Sequence, residues 1–333
     1  MNVFKVQSLN RRAVRWEQHL WDLTPVQQAS AGGYYKREDA FAPLGEGGIN
    51  GMKLRQLVQL LTEAVAKGAR AVVTGASVLS PQVCSTAAVA RHLDLPCYVV
   101  LGGTKPETCG RHPSVAIAER LGARLVFAKV GYNPALQAET ARQRLALEKT
   151  FDGPVYQLCY GITTPPDAGQ VEVERFHALG AHQVENLPAD VHTLHVTAGS
   201  CNSMVSVLYG IAKHPEWTPN LRNIVLYEIG PSRRKWVEER FLAIYHTSGL
   251  FVPGALSCRG IKLTRHDLHG TGFAAYQDRM PGRIDGIPLH PNYEGKLWAY
   301  RNKQGFGPGE LFWIVGAEPL MAPMERALQE QRL

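Results

Sequence analysis

The stretch "GGINGMKLRQLVQLLTEAVAKGARAVVTG", Gly47 to Gly75, sets a glycine-rich turn, a lysine, an amphipathic helix and a β-branched run in one line. Leu54, Leu57, Val58, Leu61 and Val65 recur at helical spacing, and "KGAR" stops the pattern before "AVVTG", which reads as a strand. The alternation continues. "PQVCSTAAVARHL" leads into "CYVVLGG", "SVAIAERLG" into "ARLVFAK", and "PALQAETARQRLALEK" into "PVYQL". Farther on, "TLHVTAG" precedes a helix from about Ser203, "NIVLYEIG" precedes "SRRKWVEERFLAIY", and "LFWIVGAEP" closes the series. Short strands separated by helices predict βαβ units, hence an α/β fold whose mostly parallel sheets are covered by helices. From Phe251 to Gly309 the chain is rich in Gly, Pro, His and Arg with little periodicity, which predicts long loops.

The chain has 333 residues, 45% of them hydrophobic, enough for one large domain or two lobes sharing a cleft. No run approaches the roughly 18 apolar residues of a membrane span. The opening "MNVFKVQSLNRRAVRW" lacks the apolar core of a signal peptide, so a cytoplasmic setting is expected. Six cysteines without a CxxC pair predict free thiols, with neither a zinc site nor a disulfide framework. The formal charge is +7, and between Pro231 and Lys303 there are 12 cations against 6 anions. Such a segment is either a solvated basic face or a surface for a polyanion such as nucleic acid.

Ligands of open parallel sheets sit at the carboxyl ends of strands, so the strand-to-helix turns are the candidate site elements. In "VTAGSCNSM", small residues from Thr197 to Ser203 let backbone N–H groups converge at a helix start, an arrangement fit for a phosphate; small residues also serve packing at such turns. In "SVLSPQVCSTAAVA", Ser80 reads as a helix cap and Pro81 as the first helical residue. If that turn borders a pocket, the Ser80 hydroxyl suits proton relay or gripping a carboxylate. Lys53 stands at a helix start, where a cation is electrostatically misplaced. A lysine held neutral by bonding to an aldehyde escapes that penalty, which makes Lys53 a candidate to carry pyridoxal phosphate. In "LHPNYEGKLW", Tyr293 offers a phenol for acid/base work and Glu294 a carboxylate able to pair with a protonated ring nitrogen, unless this is an ordinary surface loop. His266 and His269 in "RHDLH" lack a third ligand nearby, so loop or phosphate contacts are expected of them and no metal site is.

Taken in order, "YYKREDAFAP", "GGINGMKLRQL", "SPQVCSTAAVA", "TAGSCNSM" and "HPNYEGK" resemble the fold-type II pyridoxal-phosphate enzymes, in particular the 1-aminocyclopropane-1-carboxylate deaminase and D-cysteine desulfhydrase group. The resemblance runs from about Tyr34 to Pro319. It implies a tryptophan synthase β-like architecture, with residues 1–52 and 166–333 forming a large cofactor-binding lobe and 53–165 a small one. It further implies that Lys53 bonds to pyridoxal 5'-phosphate and that Ala198, Gly199, Ser200, Cys201, Asn202 and Ser203 hold its phosphate. Asn50 would neighbour the cofactor, Glu294 would face the pyridine nitrogen, and Ser80 and Tyr293 would act on the substrate with Lys53. Ser80-Pro81-Gln82 departs from the family's Ser-Asn-His or Ser-Asn-Gln, and "FAAYQDRMPGR" is shorter than the expected helix. Those changes open the usual pocket and leave Tyr276 to stand for the family's second tyrosine.

Three functions are compatible with these residues. In one, the protein is a deaminase or desulfhydrase of a small free amino acid. In the second, toward which the opened pocket and basic segment point, the amino-acid group is attached to a base in duplex DNA. Enzymes resembling this family serve bacteriophage thymidine hypermodification as isomerases or lyases. Gln82, Arg233, Arg234, Lys235, Arg259, Lys262, Arg265, Arg279 and Arg283 would then meet substrate or DNA, in the host cytoplasm. The third, a non-catalytic binding protein, sits poorly with the presence of Lys53, Tyr293 and Glu294. A homodimer is implied by the resemblance alone.

Overall fold

The computed structural model describes residues 15–131, 133–330 and 332–333; the segment on which the signal-peptide reading mainly rests, residues 1–14, lies outside them. The strands in chain order are β1 (Val26–Gln28), β2 (Tyr34–Arg37), β3 (Ala71–Ala76), β4 (Cys97–Gly102), β5 (Arg124–Ala128), β6 (Val155–Leu158), β7 (Thr193–Ala198), β8 (Asn223–Glu228), β9 (Lys262–Asp267), β10 (Gly282–Ile284), β11 (Ile287–Leu289) and β12 (Glu310–Ile314). The helices are α1 (Met52–Ala66), α2 (Gln82–His92), α3 (Pro106–Cys109), α4 (Pro113–Arg120), α5 (Asn133–Phe151), α6 (Gln170–His182), α7 (Asn202–Lys213), α8 (Arg234–Ser248), α9 (Val252–Cys258), α10 (Glu294–Tyr300) and α11 (Met321–Gln329).

Two sheets organise the chain. Four parallel strands run in the order β5-β4-β3-β6, and six run β1-β2-β12-β7-β8-β9, parallel except for the β1–β2 pair. All six residues of β3 are buried, which explains why "AVVTGA" is apolar or small without alternation: both faces are covered. Helix α1 buries Leu54, Leu57, Val58 and Leu61, each worth about 1.5–3 kcal/mol of transfer free energy. Val65, the last of that set, lies exposed in the final turn. Helix α7 is buried along nearly its whole length and packs against α6.

The stretch from Phe251 to Gly309 departs from expectation, since it holds α9, β9, the β10–β11 hairpin and α10. Strand β9, "KLTRHD", is an edge strand paired only with β8, and charged residues blunt such edges. Residues 268–281 do lack helix and strand. All six cysteines are free thiols, and no single helix among the described residues is long and apolar enough to cross a membrane.

Candidate functional site

One cavity of about 390 Å³ opens where the carboxyl ends of β3, β6, β7, β8 and β12 converge. Lys53, Ser80, Thr197, Gly199, Ser200, Cys201, Ser203, Tyr293 and Glu294 line it, so residues distant in the chain meet at one point.

Lys53 stands in the first turn of α1, and the backbone before it dictates where that turn begins. Gly51 takes a φ of +102°, and a Cβ there would lie 2.8 Å from the Val315 carbonyl oxygen. The Met52 N–H donates to that same oxygen at 2.9 Å. A buried cluster steadies the helix from behind: Arg55 Nε lies 3.6 Å from Glu38 Oε2, and Thr24 Oγ1 donates to Glu38 Oε1 at 2.6 Å. The "KRED" stretch thus ties β2 to α1 two residues beyond Lys53. Lys53 Nζ donates to Ser200 Oγ at 2.8 Å. Burial lowers its pKa to about 8 against the opposing pull of Cys201 and Glu294, and the Arg233 charge lowers it further.

The turn from β7 into α7 forms a cradle. Cys201 adopts a left-handed conformation at φ +68°, and among the described residues no group accepts from the N–H groups of Gly199 through Ser203. The buried Ser203 Oγ also lacks a partner. Ala198 ends β7 with its carbonyl accepting from Ile229 N, while Asn202 Nδ2 donates to the Gly161 and Ile162 carbonyls, both at 2.9 Å. Gly161 has φ +81° and approaches Ser200 so closely that an added Cβ would come within 2.6 Å of the Ser200 Cβ.

On the far wall, Glu294 Oε1 accepts from Thr197 Oγ1 and from Val315 N–H, each at 3.2 Å. Burial raises its pKa to about 7 despite those bonds. Val315 therefore ties α1, through its carbonyl, and Glu294, through its N–H, to the end of β12. Tyr293 has its hydroxyl 3.0 Å from that of Tyr276, and burial pushes its pKa well above 10. His290, packed edge-on to Tyr293, is held neutral by burial, its pKa lowered to about 3.

Other expected residues occupy different roles. Asn50 borders the cavity, but its amide is engaged with Gly48 O and with the Ala317 backbone. Gln82 is likewise committed: Nε2 donates to Thr74 Oγ1 and Cys159 O, and Oε1 accepts from Gly161 N–H. Ser80 Oγ accepts from Gln82 N–H at 3.3 Å. Arg259 departs from its expected part as a phosphate contact, because its guanidinium is spent on the Ile211 and Thr218 carbonyls. Arg234, Arg265 and Arg279 pair with Glu238, Glu228 and Glu318, and Arg283 donates to Gly286 O. Lys235 and Lys262 are exposed, and only Arg233 of this basic set lines the cavity. Tyr160 and His290 also line it and were not singled out from the sequence: Tyr160 sits in no periodic or motif-like context, and His290 lies in "HPNYEGK" without a chemical part of its own there.

These residues fit pyridoxal phosphate. A desolvated amine, a run of unengaged N–H groups with an unpartnered hydroxyl, and a buried carboxyl across the cavity match its aldehyde, phosphate and ring nitrogen. No cluster of metal-ligating side chains occurs among the described residues.

No family model matches the chain. It is 35% identical, over 98% of its own length and 89% of the relative's, to an O-seryl-dTMP PLP-dependent decarboxylase of Salmonella phage ViI. Its fold is similar to that of an ACC deaminase homologue, with a TM-score of 0.63 at 20% identity over 92% of this chain and 93% of that one. It is also similar to threonine deaminase isoform 2 from Solanum lycopersicum, with a TM-score of 0.53 at 14% identity over 93% and 84% of the two chains. With two parallel sheets, a shared fold and a relative matched almost end to end, the chain belongs to the fold-type II pyridoxal 5'-phosphate-dependent enzymes.

Proposed function

We propose that this enzyme decarboxylates a seryl group carried on a thymidylate unit, free or within phage DNA. The supporting observation is the 35% identity, across nearly both full lengths, to a phage protein of that activity. A seryl group joined through its oxygen keeps its α-amine and α-carboxyl free. Loss of carbon dioxide and gain of a proton at the α-carbon leave a 2-aminoethoxy group on the nucleotide. The relative favours this lyase reaction over the isomerase and deaminase expected from resemblance alone.

Bound pyridoxal phosphate supplies a sink for the electron pair left at the α-carbon when the bond to the carboxyl breaks. The chain's residues do the rest. Residues 1–52 and 166–333 act as the cofactor-binding lobe and 53–165 as the smaller one. Lys53 anchors the cofactor and, once its amine is free, delivers a proton to the α-carbon. Gly199 to Ser203 hold the phosphate, Ala198 sets the end of the strand before them, and Glu294 faces the ring nitrogen. Tyr293, kept protonated by burial, serves as a donor at the substrate.

The start of α2 suits a carboxyl that must leave. Pro81 has no N–H, so beside Ser80 the helix lacks the backbone donor that any other residue would supply. A carboxylate held by many hydrogen bonds would lose them all on becoming carbon dioxide, so a lighter grip lowers the barrier.

The test is incubation of the holoenzyme with O-seryl-dTMP, with duplex DNA bearing the same group, and with free serine, followed by mass spectrometry. Release of one carbon dioxide per seryl group is the expected result. Turnover of free serine with the nucleotide untouched would replace this reading with that of a small-amino-acid enzyme.

A further inference from the structure

Arg233 is set apart from the other cations of its segment. It lines the cavity, and its guanidinium stacks on the ring of Tyr160 at 5.0 Å. Among the described residues its side chain makes no hydrogen bond and no ion pair, whereas Arg234, Arg265 and Arg279 are paired with carboxylates and Arg259 and Arg283 donate to backbone carbonyls. It also immediately precedes α8, where the helix end already carries partial positive charge. A cation there gains nothing from the helix, and the two positive fields add toward whatever occupies that end of the cavity.

A second group lines the same cavity. Strands β8 and β9 are neighbours, with Glu228 opposite Asp267 at their carboxyl ends. Arg233 follows the first and His269 the second, and His269 lines the cavity with a buried Nδ1 that has no partner. Arginine over an aromatic ring, with an unengaged imidazole on the adjoining loop, is a donor set for a phosphate oxygen beside a planar base.

We propose that Arg233, stacked on Tyr160 and assisted by His269, binds the phosphate of the nucleotide that bears the substrate amino acid, and so selects nucleotide-borne over free amino acids. This rests on the reading under Proposed function. A mononucleotide's phosphomonoester and the phosphodiester of DNA present the same anionic oxygens, and binding measurements separate them.

The test compares equilibrium binding of dTMP, thymidine and a short thymidine-containing duplex to the holoenzyme. Wild type is expected to prefer dTMP or the duplex to thymidine by at least tenfold. The better of the two identifies the phosphate's source. Arg233→Gln is expected to bring that preference close to unity, and Arg233→Lys to keep part of it, with cofactor absorbance showing that both variants are folded. Equal binding of dTMP, duplex and thymidine by wild type would overturn the proposal, as would an undiminished preference in Arg233→Gln. If the preference depends on Arg233 while no seryl nucleotide is turned over, the phosphate site stands and the decarboxylase reading fails.

Discussion

The Tyr293 and Tyr276 hydroxyls lie 3.0 Å apart at the cavity wall, so one phenol must donate to the other. Burial raises both pKa values, that of Tyr276 to about 12, and the pair stays protonated across the physiological range. Tyr276 fixes the direction of the Tyr293 hydroxyl, while Tyr293 is the one adjoining Glu294 and Gly199.

Tyr293→Phe is therefore expected to lower turnover by about 10²-fold or more, the range of a lost acid/base group. Tyr276→Phe should cost about tenfold, because an orienting bond is lost and the donor is kept. Steady-state kinetics on the seryl nucleotide check the ranking; equal losses would assign both phenols the same role.

Glu294 gives a pH dependence of stability. Its pKa rises from an ordinary 4.5 to about 7. Between those values the folded chain keeps a proton that the unfolded chain releases, so stability falls as pH rises through the window. The contribution is on the order of 3 kcal/mol. Glu294→Gln removes it: without cofactor, the variant's melting temperature relative to wild type should climb from pH 5 to pH 7. With cofactor, its activity should fall, since a neutral amide lacks the negative charge that keeps the ring nitrogen protonated.

Gly51 couples backbone geometry to chemistry. Gly51→Ala would force a side chain into a φ of +102° with its Cβ 2.8 Å from the Val315 oxygen. A strained residue of this kind costs about 1–3 kcal/mol. Because the clash lies at the residue that positions α1 and Glu294, cofactor incorporation should drop along with the melting temperature. Borohydride reduction followed by peptide mass mapping of Lys53 measures it.

Most helices and strands from Leu54 to Glu228 were legible because apolar residues at helical spacing alternate with short β-branched runs, whereas α3 and α6 were not read from the sequence. Lys53 was legible because a cation is unusual at a helix start, and the Thr197 to Ser203 turn and Glu294 because small residues after a strand and a carboxylate in a motif suit a phosphate and a ring nitrogen. Strand β9 was not, because an edge strand buries little and carries polar side chains at most positions. Helix α10 has seven residues, too few to show a period. Tyr160 reaches the cavity through Gly161 and Ile162, both left-handed and pinned by Asn202, a tertiary contact that local sequence does not announce. The saturation of Gln82 by Thr74, Cys159 and Gly161 is likewise a property of the assembled sheet.

Ser203 separates a role in the fold from a role in binding. Its hydroxyl is buried and unpartnered, so it weakens the chain alone by the desolvation it undergoes without return. Ser203→Ala is expected to raise the stability of the cofactor-free protein by up to about 1 kcal/mol. If that hydroxyl donates to the cofactor phosphate, the same change should weaken pyridoxal phosphate affinity by about tenfold, near 1.4 kcal/mol. A purely structural serine would shift both quantities the same way, and a surface serine would shift neither. Thermal melts without cofactor, paired with cofactor titration followed by absorbance, therefore test whether the turn before α7 is shaped for a phosphate, because only a ligand-facing hydroxyl moves the two measurements in opposite directions.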